Sequence, residues 1–280
     1  MISGDTAPGT HFLLSLIGRW DAARVQRRLR MVRPKLLTDE RAAWELSSFG
    51  APKSVLLWML ERDDPATNRL AFHLNRADPP LLRDILRGLP FGAATGPLPV
   101  QVELDCERWN CSHAEPEIRV SPLGLIGALR EARTMRPARR AARAVSRPDW
   151  AAVAEADRAE PLPGYARWAL AERIDCPPEL RTQFGSYPRF TKRLHKAGIF
   201  EFRDYVESGR PPVNVLAVLH LGTQLFPHRV SEAAALLKPL VDAELGANSD
   251  AWTVFEERLP TFAGTVPELL ATCGAIARGR

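Results

Sequence analysis

Apolar residues recur every three or four positions along most of the chain, which is the spacing of helices that bury one face. The first clear set is Ala22, Val25, Leu29 and Val32, with arginines between its members. Thr38 begins another helix, because it precedes two acids as an N-cap does and an apolar face follows. The pattern predicts an all-α protein.

Prolines mark the starts of several of these helices. Asp64-Pro65 and Asp78-Pro79 each place a capping acid before a proline in the first helical turn, where the missing N–H costs nothing. Pro52 is expected to begin a third helix, with Gly50 in place of the capping acid. The sequence therefore predicts short helices that follow one another closely.

One stretch, 93–120, interrupts this pattern. It begins within "GAATGPLP", a loop by composition, and continues into "VQVEL", which alternates as a strand does. The later run "EIRV" is the candidate partner strand. We expect a short β-hairpin-like insertion here, which divides the chain into helical repeats at 1–92, the insertion, and helical repeats at 121–280.

One sequence motif, called the repeated phrase below, occurs twice in the chain. "AFHLNRADPPLLRDIL" at 71–86 returns, altered, as "ALAERIDCPPELRTQF" at 169–184, and a looser copy lies at 45–60. Each of the first two copies holds an acid expected to be an N-cap (Asp78, Asp175), two prolines, and a Leu-Arg pair. Units that recur in this way bury their apolar faces by stacking on neighbours, as in an α-solenoid.

These phrases, with "SYPRFTKRLHKAG" after the second, resemble units of the leucine-rich repeat variant family, a branch of the HEAT-like and armadillo-like α-solenoids. The resemblance covers roughly 41–88 and 165–198. It implies an irregular all-α solenoid, with an unrelated helical bundle as the alternative packing, and a tendency to bind macromolecules along a concave face. Some family members look as though they carry an iron–sulfur cluster in a separate cysteine-rich region. This chain has no such region, so the resemblance implies no cofactor.

The formal net charge of +5 is unevenly distributed. Residues 19–35 and 130–147 each hold seven basic side chains and one acid, so the rest of the chain is net acidic. In the second segment, arginines at helical spacing predict a cationic ridge, made of Arg133, Arg136, Arg140, Arg143 and Arg147. Pro137 is expected to start a new helix and so to split this ridge. Arginines on the ridge either contact phosphates or form a solvated face paired with acids elsewhere.

Cys106, Cys111 and His113 are the candidate metal ligands. Thiolate and imidazole are the ligands that zinc prefers, but the C-x₄-C-x-H spacing is not a standard knuckle and no second ligand pair follows. The sequence alone therefore assigns no metal, and neighbouring inert thiols are the alternative interpretation.

The cysteines and the apolar segments indicate the cellular compartment. Four scattered cysteines in a chain of 280 residues do not make a disulfide framework, which favours a reducing compartment. The run "HFLLSLIG" lacks a basic leader, and no run approaches the ~20 apolar residues that span a bilayer. We expect a cytoplasmic protein without a membrane partner.

No nucleophile elbow or Gly-rich phosphate loop is present in the sequence. The leading hypothesis is a non-catalytic scaffold or adaptor that binds another protein, with Trp109 in the insertion as an anchor. The alternative is a nucleic-acid-binding HEAT-like protein, possibly in DNA repair, that uses the arginine-rich segments at 19–35 and 130–147. An enzyme whose site is assembled from scattered residues stays open.

Overall fold

The structure, a computed structural model, describes residues 7–32, 37–74, 77–103, 106 and 111–279. This part of the chain is all-α, as predicted, with seventeen α-helices, one 3-10 turn at Arg147–Asp149, and no strand. The helices are α1 (Ala7–Leu14), α2 (Arg19–Arg28), α3 (Asp39–Ser48), α4 (Val55–Leu60), α5 (Pro65–His73), α6 (Pro79–Leu86), α7 (Gly124–Arg130), α8 (Met135–Ala144), α9 (Trp150–Ala159), α10 (Gly164–Ala171), α11 (Pro178–Phe184), α12 (Pro188–Lys196), α13 (Phe202–Val206), α14 (Pro212–Leu225), α15 (Pro227–Glu244), α16 (Ser249–Arg258) and α17 (Val266–Arg278). None of these helices combines the length and the apolar character needed to cross a membrane.

The chain forms two compact units whose boundaries are not those of the segments expected from the sequence. One unit joins residues 1–51 with 201–280, and the other is the continuous stretch 52–200. In the first unit α14 is the central helix and packs against α1. Gly9 allows this close approach, because an added Cβ would come within 2.8 Å of the Leu216 Cβ. The three predicted segments stay a prediction.

The continuous unit is built around one apolar core that draws on α4 to α12. Helices α8 and α10 form its densest pairing, and alanines on both helices let them approach closely. Ala138 and Ala142 of α8 and Ala166 of α10 are fully buried at this contact. The unit carries the candidate metal ligands and the arginines of the 130–147 segment, whereas the 19–35 segment belongs to the other unit.

In both copies the arginine of the repeated phrase is buried and donates to carbonyl groups where another helix ends, but the two arginines contact different helices. Arg83 donates to the carbonyl oxygens of Ala144 and Val145, at 3.2 and 2.8 Å, where α8 ends. Arg181 donates to the carbonyl of Ala171, at 3.3 Å, where α10 ends. Carbonyl groups in the last turn of a helix have no partner within the helix, so each buried arginine satisfies them.

The two copies differ at the acid expected to be an N-cap. Asp78 occupies the N-cap of α6 but its side chain makes no capping hydrogen bond. Asp175 is not an N-cap, since Pro177 holds that position for α11. Asp175 is buried instead and pairs with Arg173, with two N–O distances of 2.9 and 2.5 Å.

The β-hairpin expected at 93–120 is not seen in the part of this range that the structure describes. Backbone N–H groups near its start bond to a side chain instead. The Asp63 carboxylate accepts hydrogen bonds from Phe91, Gly92 and Ala94, at 2.6, 2.9 and 2.8 Å. These contacts fix the chain where the range begins. The runs expected to pair, 100–104 and 117–120, form no ladder among the described residues, because alternation alone does not supply the neighbouring strand that a ladder needs.

Candidate functional site

Four potential metal ligands meet where the 93–120 segment lies against α5. His73, Cys106, Cys111 and His113 each place one ligand atom within 4.8 Å of the others. Three of them are the residues that the sequence singled out. His73, which the sequence places 33 residues before Cys106, joins them through the fold.

His73 is the last residue of α5, and its ring is oriented by the helix itself. Its Nδ1 lies 2.8 Å from the carbonyl oxygen of Arg69. A carbonyl can accept only, so Nδ1 carries the proton and donates it. The other nitrogen, Nε2, then holds a lone pair and lies 3.2 Å from the Cys106 Sγ. The helix thus presents a nitrogen lone pair to the cluster.

His113 completes the cluster from the far end of the segment. Its ring centroid is 5.7 Å from that of His73 and 6.1 Å from that of Phe72. Its Nε2 is buried and has no hydrogen-bond partner among the described residues. A buried polar atom without a partner costs about 1–3 kcal/mol, and native proteins contain few of them.

Contacts on both sides hold the segment that carries these ligands. Val102, just before Cys106, is buried in the core of the unit, and Cys111 packs partly against the same core. Glu115 forms an ion pair with Arg87, at 2.5 Å, just after α6. Trp109, the anchor expected from the sequence, lies outside the described residues.

The cationic ridge expected near 130–147 lies mostly on one helix. Pro137 stands in the first turn of α8, where its missing N–H breaks no intrahelical bond, so it does not split the ridge as expected. Arg136, Arg140 and Arg143 are exposed and form no ion pair with any described residue. Arg133 precedes the helix and is exposed too. These three helical arginines form what we call the α8 ridge.

Two other arginines of this segment have structural partners. Arg147 donates to the Phe91 carbonyl at 2.9 Å, and its guanidinium lies 4.8 Å from the Phe91 ring. Arg139 forms a bidentate pair with Glu172, donating from Nε to Oε2 at 3.1 Å and from Nη2 to Oε1 at 3.2 Å. Charge in the 19–35 segment is partly compensated as well, since Arg24 pairs with Asp21 at 2.9 Å.

A groove that the sequence did not indicate runs between α8 and the chain just before α7. Its volume is about 360 Å³, and its walls include Val120, Leu123, Ala141 and Arg140. Val120 is 64% exposed and Leu123 is 55% exposed, which is unusual for two aliphatic side chains so close together. The signal in the sequence was slight, namely two apolar residues flanking the short "SP" of "RVSPLGL".

A scan against protein-family models finds no match, and searches of curated proteins and of solved structures find none either.

Proposed function

We propose that this chain is a non-catalytic helical repeat protein that acts as a protein-binding scaffold or adaptor in the cytoplasm. The observation that carries the proposal is the groove in which exposed Val120 and Leu123 lie beside Arg140 of the α8 ridge. Its partner would be an acidic, amphipathic segment of another protein.

The apolar half of this proposal comes from the exposed aliphatic side chains. Burying one such side chain on binding contributes about 1.5–3 kcal/mol. The adjacent wall of α8 is formed by small residues, Ala141 and Ala144, which leave room for a partner's side chains. An apolar helix face that inserts its anchors into a groove is a common mode of peptide recognition.

The expectation that the partner is acidic comes from the positive charge beside the groove. Arg136 and Arg140 lie one turn apart on α8 and carry no carboxylate partner from the described residues, while Glu131 is an acidic group in the groove wall. Carboxylates on the partner would neutralise the two arginines and speed the partner's association. A partner with an apolar face and an acidic flank satisfies both halves.

We also propose the α-solenoid arrangement that the repeated phrase predicts. Arg83 and Arg181 support it, because the arginine of each copy is buried and donates to a carbonyl where another helix ends. Arg83 does so at α8 and Arg181 at α10, the helix that precedes its own. None of the four cysteines, all of which the structure describes, forms a disulfide, which suits the reducing compartment that we propose for the protein.

Selection of peptides on the full-length protein from a random library tests the proposal. We expect the selected peptides to be enriched in Asp and Glu, with apolar residues at helical spacing. The variant Leu123→Ser/Arg140→Glu should bind them at least about tenfold more weakly. Its matched control is Tyr165→Ser/Arg189→Glu, which removes one exposed apolar group and one exposed cation elsewhere in the same unit. Peptides without acidic enrichment, or equal loss in both variants, would overturn the proposal.

A second candidate function, nucleic-acid binding, is favoured by the α8 ridge alone. Arg136, Arg140 and Arg143 lie along about 10 Å of one helix at 1.5 Å per residue, within reach of successive phosphates. Binding of DNA or RNA would weaken steeply with salt and would be unaffected by Leu123→Ser, because that side chain carries no charge. Binding of DNA and of the selected peptides, measured at rising salt for the wild type and for Leu123→Ser, therefore separates the two functions.

A further inference from the structure

We infer that His73, Cys106, Cys111 and His113 bind one Zn²⁺ ion in a closed structural site. This inference goes beyond the proposed binding function and does not depend on it. It rests on the position of the four ligand atoms, on the hydrogen bond behind His73, and on the unsatisfied nitrogen of His113.

The ligand set and its dimensions match a single tetrahedral ion. Two thiolates and two imidazoles form one of the standard sets for structural zinc. With Zn–N near 2.0–2.1 Å and Zn–S near 2.3 Å, a tetrahedral N–S separation is roughly 3.6 Å. The observed His73 Nε2 to Cys106 Sγ distance is 3.2 Å, and no pair among the four ligand atoms exceeds 4.8 Å. Small side-chain shifts would bring all four into contact with one ion.

The surroundings of the ligands match as well. Histidines that bind metal generally donate their other ring N–H to a carbonyl or carboxylate, which fixes the tautomer and raises the basicity of the ligating nitrogen. His73 does this through the Arg69 carbonyl, at 2.8 Å. The buried Nε2 of His113 has no hydrogen-bond partner among the described residues, and a metal ion would accept its lone pair.

Other metals and a catalytic role fit this arrangement less well. Calcium and magnesium take oxygen ligands, which the cluster lacks. A two-iron cluster with two cysteines and two histidines binds the two types of ligand on different irons, which requires a wider spread than 4.8 Å. Four protein ligands leave no open position for water or substrate, so the ion would be structural.

Bound zinc would fasten the segment that carries Cys106, Cys111 and His113 to the end of α5. One ion would cross-link His73, at the end of α5, to ligands at 106–113, which belong to no helix or strand among the described residues. Thiols must lose their protons to bind, so binding would release protons and weaken at low pH.

Zinc content and cobalt absorption test the inference on the full-length protein. We expect one zinc per chain by elemental analysis after purification without chelator. Replacement by Co²⁺ should give the visible bands of a tetrahedral ion and the near-ultraviolet band of sulfur-to-cobalt charge transfer. Cys106→Ser and His73→Asn should lose most of the metal, whereas Cys176→Ala and His228→Asn, which lie outside the cluster, should keep it.

A ligand exchange keeps the test decisive if serine variants fail to fold. Cys111→His retains four ligands but one thiolate, so it should still bind one Co²⁺, with about half of the charge-transfer intensity. Protein without stoichiometric zinc that also gives no cobalt bands would overturn the inference. Unchanged charge-transfer intensity in Cys111→His would overturn it too, because Cys111 would then not be a ligand.

Discussion

Two arginines show how single residues stabilise this fold. Arg83 and Arg181 are 5% and 8% exposed, and both donate to carbonyl groups at the ends of neighbouring helices. Arg83 also pairs with the buried Asp84, at 2.8 Å, and burial raises the pKa of that carboxyl despite the arginine. Burying a guanidinium is favourable only when its donors find acceptors, so the surrounding backbone must be held in place.

Arg181→Met should therefore lower the free energy of unfolding by about 3 kcal/mol, because several buried carbonyls lose a charged donor. Urea denaturation followed by circular dichroism measures this change. Arg189→Met, at an exposed position of α12, is the control and should leave the midpoint unchanged. Equal midpoints for the two variants would show that Arg181 is not a structural clamp.

Two histidines of the first unit make stability depend on pH. The rings of His11 and His220 lie 6.2 Å apart. Burial lowers the pKa of both, and the proximity of His11 lowers that of His220 further. A lowered pKa in the folded state means that the unfolded chain binds protons more readily. The stability these histidines contribute is complete above the unfolded pKa of about 6.5 and is lost as pH falls through the lowered folded values.

We accordingly expect the urea midpoint to fall between about pH 7.5 and about pH 5.5, and to fall less in His220→Gln. His228→Gln, at an exposed position, should behave as the wild type does. The comparison between variants isolates the histidine, since the buried Glu256, whose pKa is raised by burial, is present in all three proteins. A larger fall in His220→Gln than in the wild type would contradict this assignment.

At the scale of elements, the helices were predictable and the insertion was not. Helical periodicity and proline starts predicted α5, α6 and α8, because those signals are local. Asp63 bonds the backbone about thirty residues later, at Phe91 and Ala94, where the insertion begins. Alternating residues predicted a strand at "VQVEL", but a strand also needs a partner to pair with, and alternation in one sequence does not show whether a partner lies beside it.

The candidate metal centre shows the same limit. Cys106, Cys111 and His113 were recognisable because they lie within eight positions of one another in the sequence. His73 ends a helix whose pattern indicates only a surface or half-buried imidazole. Its part in the cluster is set by how the segment folds back on α5, which a single sequence does not encode locally.

Close packing of this segment gives a prediction at the element scale. An added Cβ at Gly92 would overlap the carbonyl oxygen of Glu61, whereas one at Gly96 would meet nothing within 4 Å. Gly92→Ala should then cost about 2 kcal/mol of stability, because backbone at both positions must move apart. Gly96→Ala should be neutral or slightly stabilising, which denaturant midpoints of both variants would show. A neutral Gly92→Ala would mean that the chain at Gly92, just before the segment, does not lie against Glu61.

At the scale of the whole molecule, we expect the metal to stabilise one of the two units and not the other. All four candidate ligands lie in the continuous unit, 52–200. A ligand that binds only the folded state stabilises what it holds together, so removal of zinc should loosen that unit first. The other unit, which contains α14 and α17, has no ligand in the cluster.

Hydrogen exchange followed by mass spectrometry should show this asymmetry. Chelation is expected to speed exchange in peptides that cover α5 and residues 111–120, with little change in α14 and α17. Cys106→Ser, without chelator, should reproduce the pattern. Uniform acceleration across both units, or none near α5, would mean that zinc does not act as a local fastener.

The most direct measurement of the central claim is X-ray absorption at the zinc edge, on full-length protein purified without chelator. The account predicts one zinc with two sulfur neighbours at about 2.3 Å and two nitrogen neighbours at about 2.0–2.1 Å. A shell of oxygen and nitrogen alone, or protein that carries no zinc, would contradict it.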